Sequence, residues 1–390
     1  MKKRLHIGLL ARVVIAIALG MVAGNYLPAP AVRLFVTFNS LFSEFLNFSI
    51  PLIILGLVTV AIADIGNKAG RLLLTTVLIA YGATILSGYI SYFTGEALFP
   101  SLIEHTTLPA DTAQQSGLQP YFTVAIPPLM NVMTALVLAF VLGLGLASLR
   151  STALKEVAHD FSDIVTALIA NAIIPLLPIY IFGIFLNMTQ SGQVYPILMV
   201  FVRIILVIFG VHIFVLLLQY TVAGIIAHRN PFKALLTMLP AYFTALGTQS
   251  SAATIPVTLA QAVKNGVSDQ IAGFVIPLCA TIHLSGSTLK IVACALALMI
   301  MHGMPHGLSL FSGFIFLLGI TMVAAPGVPG GAIMASLGVL QSVLGFDESM
   351  QALMIALYIA MDSFGTACNV TGDGAIALIV DRISKGKSKK

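Results

Sequence analysis

The sequence predicts an all-α membrane protein, because its composition does not suit a soluble fold. Of the 390 residues, 58% are hydrophobic and only 8% are charged, whereas an ordinary soluble domain carries about 25% charged residues. A lipid-facing surface needs no charges, since in hydrocarbon the cost falls on exposed polar groups. A third observation is a series of apolar stretches, each as long as the roughly 20 residues that a helix needs to cross the bilayer core.

The apolar stretches divide into a conventional set and a broken set. The conventional spans lie at residues 7–26, 34–62, 72–99, 122–149, 164–187 and 196–226. The later stretches lie at residues 232–262, 271–301, 307–343 and 350–380, and polar or helix-breaking runs interrupt them at 247–251, 283–287 and 325–331. Irregular backbone at membrane depth is tolerated only where it is buried in protein or lines a wet cavity. We therefore expect the functional site in the C-terminal half.

The net charge of +5 indicates orientation rather than a nucleic-acid partner. If residues 232–262 and 307–343 form re-entrant hairpins and the N-terminus is cytoplasmic, most of the 19 Lys and Arg residues fall on the inner side. This distribution obeys the positive-inside rule. It predicts a multi-pass protein of the cell (inner or plasma) membrane with cytoplasmic termini, residues 381–390 forming a basic cytoplasmic tail.

Four polar residues form a stripe on the last helix. Asp362, Thr366, Asn369 and Asp373 are spaced i, i+4, i+7 and i+11, which places them on one helical face. Carboxylates in a spanning helix mark an ion or substrate pathway by default. An aspartyl protease is excluded, because eleven residues separate the two carboxyl groups by about 16 Å along the helix and a catalytic dyad must share a proton. No nucleophile-elbow or zinc-protease motif is present either, so no enzyme is expected.

Four ordered motifs resemble those of the dicarboxylate/amino acid:cation symporter family, the glutamate transporter homologues. They are residues 250–258 (SSAATIPVT), 277–282 (PLCATI), 327–330 (GVPG) and 369–373 (NVTGD). The resemblance implies eight transmembrane helices plus two re-entrant helical hairpins, inverted repeats and an elevator-type transporter that assembles as a homotrimer. A scaffold domain would comprise residues 1–62 and 122–187, and a mobile transport domain residues 72–99 and 196–380.

The resemblance also implies roles for individual residues. Asp362 would receive a substrate ammonium, and Asp373 with Asn369 would bind sodium. The implied substrate-binding residues are Ser250, Ser251, Thr281, Gly327, Val328, Pro329, Asp362, Gly365, Thr366 and Asn369. The implied ion-coupling residues are Asp373, Asn369, His283, Ser285, Lys290, Tyr81 and Thr84.

Two departures from the family pattern bear on the substrate. Gly365 and Gln249 stand where members that carry acidic amino acids have arginine, and a buried anionic side chain without a bidentate partner is strongly disfavoured. A neutral zwitterion fits better, with its carboxylate at Ser250 and Ser251 and its side chain in the space at Gly365. The first hairpin also resembles the serine/threonine branch.

A further departure bears on the coupling ion. His283 and Ser285 replace the asparagine and aspartate of a family sodium site, so at least one sodium should be lost. We hypothesise that His283 or Lys290, paired with Asp373, replaces one sodium ion by a proton or by a fixed positive charge. The alternative is that both residues have only a structural role in packing and pairing.

The expected function is secondary active import of a small neutral amino acid coupled to sodium, protons or both. A dicarboxylate or acidic amino acid symporter and an uncoupled facilitator stay open. The expected partners are a small solute, membrane lipid and copies of the chain; no nucleic acid and no cofactor are expected.

Overall fold

The computed structural model describes residues 8–67, 71–103, 118–149, 152–192, 194–325 and 329–385, and the regular elements in these ranges are helical. They are α1 (Leu9–Gly24), α2 (Ala29–Asn67), α3 (Arg71–Ile103), α4 (Val132–Ser148), α5 (Ala153–Leu168), a π-helical turn (Ile169–Ile173), α6 (Ile174–Gln190), α7 (Val194–Ala227), α8 (Pro231–Thr237), α9 (Leu239–Thr248), α10 (Ser251–Lys264), α11 (Asp269–Ile282), α12 (Ser285–Met301), α13 (Leu308–Val323), α14 (Gly331–Leu344), α15 (Glu348–Ala360) and α16 (Asp362–Lys385).

Several of these helices are long and apolar enough to cross a membrane. Within the described ranges the qualifying segments are Ala29–Asp64, Leu72–Ile103, Ala153–Gln190, Ile197–Ala227 and Asp269–Met301. A sixth is obtained if α15 and α16, which are bent by 62° at their junction, are taken as one span. The prediction of an all-α, multi-pass membrane protein is confirmed, whereas the number of eight spans stays a prediction.

The boundaries of two spans differ from the sequence-based expectation. The span expected at 122–149 is helical only from Val132, because two consecutive prolines, Pro127 and Pro128, lack the backbone N–H groups that a helix needs and Asn131 caps α4 by accepting from Thr134 N. The span expected at 164–187 belongs to a helical segment that starts at Ala153. Its first part is α5, which carries charged residues and which a window of pure hydropathy misses.

The C-terminal half contains the helix breaks that its polar runs predict. Gln249 adopts a left-handed conformation with φ of 54°, and Ser250 caps α10 by accepting from Ala253 N. Residues 283–284 separate α11 from α12, and α13 ends at Val323 before α14 begins at Gly331. The helices that flank the breaks after Thr248 and Val323 are short, with 10 to 16 residues, or about 15 to 24 Å. These helices, α9, α10, α13 and α14, are each shorter than the roughly 30 Å hydrocarbon core.

One break was not expected from the sequence, which suggested a single stretch at 350–380. The chain bends by 62° between α15 and α16, and Asp362 is the first residue of the new helix. A carboxylate is stabilised at a helix N-terminus by the helix dipole. The bend therefore gives Asp362 a favourable position that a continuous helix would not provide.

The helices pack in two groups, one built on α2 and the other around α16. In one group α2 packs on α4, α5 and α6, and α1 packs on α6. In the other, α16 is surrounded by α3, α7, α9, α10, α11 and α12. The helices α13, α14 and α15 contact members of both groups. The polar stripe of α16 thus faces protein rather than lipid.

Asp381 fastens the end of α16 to the start of α11. It accepts hydrogen bonds from the backbone N–H of Ser268 at 3.1 Å and from Ser268 Oγ at 2.7 Å, and it pairs with Lys385. Replacing Asp381 by Ala is expected to destabilise the protein by about 1 to 2 kcal/mol, because Ser268 N loses its acceptor. Thermal unfolding in detergent measures the change. Asp160→Ala, which removes an exposed acid from α5, is the matched control; equal shifts in Tm for the two variants would contradict the interpretation.

Candidate functional site

The four polar residues of the α16 stripe, Asp362, Thr366, Asn369 and Asp373, are all buried. Each of the two carboxylates has its own partner, one on α12 and one in the break between α11 and α12. The site therefore consists of two separate carboxylate pairs, Asp362 with Lys290 and Asp373 with His283, with Asn369 between them.

Asp362 is bound by groups from two other elements. Its Oδ2 accepts a hydrogen bond from the backbone N–H of Gly330 at 2.8 Å, and its Oδ1 lies 3.6 Å from the Nζ of Lys290. Gly330 has φ of 76°, a conformation that glycine adopts without strain. The bond ties the start of α14 to the start of α16.

Lys290 is buried beside Asp362 and makes two further contacts. Its Nζ donates to the carbonyl oxygen of Met361 at 3.2 Å and lies 3.8 Å from the ring centroid of Tyr358. A Cβ atom at Gly365 would overlap the end of the Lys290 side chain. The space at Gly365 that we assigned to the solute's side chain is thus filled by Lys290. The lysine pairs with Asp362, not with Asp373 as one version of the sequence hypothesis had it.

His283 is the partner of Asp373. Its Nδ1 lies 2.9 Å from Asp373 Oδ1, and both side chains are buried. With Nδ1–H donating to the carboxylate, the other ring nitrogen accepts from the amide of Gln219 at 3.4 Å. The same amide donates to Ser285 Oγ at 3.2 Å. Asp373 Oδ2 and Gln219 Oε1 have no hydrogen-bond partner among the described residues.

Gln219 was missed in the sequence reasoning, although a signal was available. It is a polar residue within the apolar span 196–226, and His212 lies seven residues earlier on the same helical face. A polar side chain in a spanning helix is a candidate for function by default. Both side chains belong to α7, which packs on α16.

Asn369 joins α16 to the beginning of α12. Its Oδ1 accepts from Gly286 N at 2.8 Å and from Ser287 N at 3.4 Å, and its Nδ2 donates to Ser287 Oγ at 3.1 Å. Tyr358 also donates to Ser287 Oγ, at 2.9 Å. The close approach requires Gly286, where a Cβ atom would lie 2.5 Å from the carbonyl oxygen of Gly365.

A small cavity of about 20 Å³ opens beside Asp362. It is lined by Gln249, Ser251, Ala280, Leu284, Ser287, Ala325, Ala332, Tyr358, Asp362, Thr366 and Asn369. This volume is enough for about one water molecule and too small for an amino acid. An amino acid would therefore fit at this place only if the lining residues moved apart.

The cavity brings together some of the expected substrate-binding residues and not others. Ser251, Asp362, Thr366 and Asn369 line it, whereas Thr281 is exposed and donates to Leu278 O of its own helix. Gln249 Nε2 donates to Ser363 Oγ at 2.9 Å, which links the α9–α10 connection to α16. Gly327 and Val328 lie outside the described residues.

Tyr81 and Thr84, both on α3, were expected near His283. Tyr81 OH instead donates to the carbonyl of Phe316 on α13 at 3.2 Å. The Thr84 hydroxyl is buried and has no hydrogen-bond partner among the described residues. Two other serines link α3 to α12: Ser87 donates to the carbonyl of Ser285 at 2.9 Å, and Ser91 donates to the carbonyl of Leu289 at 2.7 Å.

In the described conformation the side-chain oxygens of Asp373 and Asn369, for which the resemblance implied a sodium site, are largely occupied by protein donors. Sodium is a hard cation that needs several oxygen ligands. Asn369 Oδ1 already accepts two backbone N–H groups, whose positive ends oppose a cation. Asp373 Oδ1 is taken by His283, which leaves Oδ2 alone.

Known proteins match this chain over almost its whole length. A family model described as "Sodium:dicarboxylate symporter family" matches residues 9–383. A serine/threonine transporter, SstT, of Acinetobacter baumannii (strain AYE) is 28% identical over 402 residues, covering 98% of this chain and 98% of that protein. SstT of Acinetobacter baylyi is 27% identical with the same coverage.

Proposed function

The chain belongs to the sodium:dicarboxylate symporter family, and from that premise we propose that it imports a small neutral amino acid of the serine or threonine type by secondary active symport. Membership confirms the resemblance drawn from the four motifs and makes the chain a transporter rather than an enzyme. The relatives from both Acinetobacter species are named serine/threonine transporters, which supports the proposed solute.

The observation that carries the proposal is the cavity beside Asp362. Its polar lining consists of one carboxylate with hydroxyl and amide groups, which suits an ammonium group and a small polar solute. No arginine contributes to the described lining, so an acidic side chain would be buried without a bidentate partner. A solute with the charge and polarity of serine suits this lining once the lining residues move apart to make room for it.

The proposed mechanism is an elevator in which the α16 group moves past the group built on α2. The separate packing of the two groups supports this division, as do α9, α10, α13 and α14, each too short to cross the hydrocarbon core. In this proposal α9–α10 and α13–α14 are the re-entrant hairpins, and opening at Gly330 admits the solute to Asp362. We further propose a homotrimer held together by the α2 group, with cytoplasmic termini.

The coupling ion is proposed to be a proton, sodium or both. The family description names sodium, whereas the imidazole of His283 occupies Asp373 Oδ1, where a cation would otherwise bind. This observation favours a proton at the Asp373 position. It also favours, as a second candidate function, a facilitator in which loss of the cation site has uncoupled transport.

Uptake of labelled serine by proteoliposomes containing the full chain tests the proposal. We expect serine to accumulate above its equilibrium level under an inward proton gradient, with sodium replaced by choline inside and outside. Accumulation only under a sodium gradient would contradict the role given to His283. Counterflow without accumulation under either gradient would identify a facilitator. Competition by succinate but not by threonine would assign the dicarboxylate class instead.

A further inference from the structure

Lys290 places a positive charge next to the solute cavity, where the proposed function does not require one. Its side chain is 1% exposed, and its ammonium group is surrounded by the carbonyl of Met361, the carboxylate of Asp362 and the ring of Tyr358. A buried ammonium group is tolerated only when it is paired and hydrogen-bonded. These three contacts satisfy that condition and hold the charge at Asp362.

The glycine at position 365 belongs to the same arrangement. A side chain there would collide with Nζ and Cε of Lys290, so the lysine can reach Asp362 only because position 365 has none. Lys290 comes from α12 and Gly365 from α16. The two residues fit each other across the contact between these helices.

The pair of Lys290 and Asp362 determines the net charge of the cavity. Asp362 is the only charged side chain in the described lining, and the undescribed residues 326–328 are Pro, Gly and Val. The ammonium group of Lys290 cancels the charge of Asp362. The cavity is therefore neutral as a whole, and a solute with a net charge would be buried without a counter-charge, which is unfavourable.

We propose that Lys290 is a specificity-determining residue that restricts the solute to zero net charge, because it neutralises Asp362 and leaves a dipolar cavity suited to a zwitterion. The inference rests on the proposed function, namely that this cavity binds the amino acid. It predicts that removing either charge changes the class of solute rather than merely weakening binding.

Binding of three amino acids of similar size tests the inference: neutral serine, anionic aspartate and cationic 2,4-diaminobutyrate. Each is titrated against the purified full chain, and the ratios of Kd values are compared. Lys290→Met leaves Asp362 unbalanced and should shift the ratio toward diaminobutyrate by about tenfold or more. Asp362→Asn leaves Lys290 unbalanced and should shift the ratio toward aspartate by a similar factor. The double variant should again prefer serine among the three.

A milder variant tests the same point without removing a charge. Gly365→Ala should push the ammonium group away from Asp362 and shift the ratio toward diaminobutyrate. Gly210→Ala is its matched control, because a Cβ at Gly210 meets no atom within 4 Å. An unchanged order of preference in Lys290→Met, Asp362→Asn and Gly365→Ala would overturn the inference.

The outcomes separate the inference from the function on which it rests. If the wild type binds serine and the variants keep its order of preference among the three amino acids, only the inference is contradicted. If the wild type prefers aspartate, both the inference and the proposed function are contradicted. If a single variant fails to bind any solute, the melting temperatures of the solute-free proteins show whether the two charges are paired. Charge pairing predicts that Lys290→Met/Asp362→Asn melts higher than either single variant, and additive losses would overturn it.

Discussion

Replacing His283 by Leu is expected to abolish serine accumulation and to destabilise the protein by about 3 to 5 kcal/mol. Asp373 is buried, and the bond to His283 Nδ1 at 2.9 Å is the hydrogen bond that the structure gives its carboxylate. Removing the imidazole leaves a carboxylate in an apolar interior without a donor. Thermal unfolding of the purified variant and uptake by proteoliposomes measure the two effects.

The double variant His283→Leu/Asp373→Leu distinguishes this explanation from a simple loss of packing. Replacing both members of a buried pair by apolar residues is often neutral for stability, so the melting temperature should recover toward that of the wild type. Accumulation should stay absent, because the double variant lacks the two residues to which we assign the proposed coupling. A double variant less stable than His283→Leu would show that the charge of Asp373 is not the cause.

Replacing Asn369 by Leu is expected to have the second-largest effect, a destabilisation of about 2 to 4 kcal/mol with loss of serine binding. The substitution leaves the backbone N–H groups of Gly286 and Ser287 without their acceptor in the buried contact between α12 and α16. It also removes a polar group from the cavity lining. Differential scanning calorimetry and a serine titration provide the measurements.

Asn25→Leu is the control for this substitution. Asn25 is exposed and donates only within its own turn, to Met21 O at 2.8 Å, so its replacement should change stability by no more than about 0.5 kcal/mol. If Asn369→Leu behaves like Asn25→Leu, the amide bridge does not hold the two helices together.

The sequence predicted the helical membrane fold and the breaks near residues 249 and 283, because hydropathy and local polarity determine both. It did not predict the bend at Met361, which occurs in an apolar run and is accompanied by a long-range bond from Lys290. The sequence also did not show which of two candidate residues pairs with Asp373. His283 and Lys290 both belong to the polar or charged residues of one stretch, and only packing shows which carboxylate each one reaches.

The role of position 365 could not be predicted from the sequence for the same reason. A missing side chain indicates free space when the chain is considered alone, and the expectation was that the solute would use that space. In the folded protein Lys290 fills it, from a helix whose approach to α16 depends on Gly286 and Asn369. Residues that are 75 positions apart cannot be matched by spacing rules.

The hydrogen bond from Gly330 to Asp362 Oδ2 has a kinetic consequence. In the proposed binding mode the carboxylate of Asp362 receives the ammonium group of the solute, so binding exchanges one donor for another rather than filling a vacant place. The intact bond reduces the fraction of molecules that are competent to bind, and apparent affinity falls in proportion to that fraction. At high solute concentration the observed association rate should therefore level off at the rate at which this bond opens.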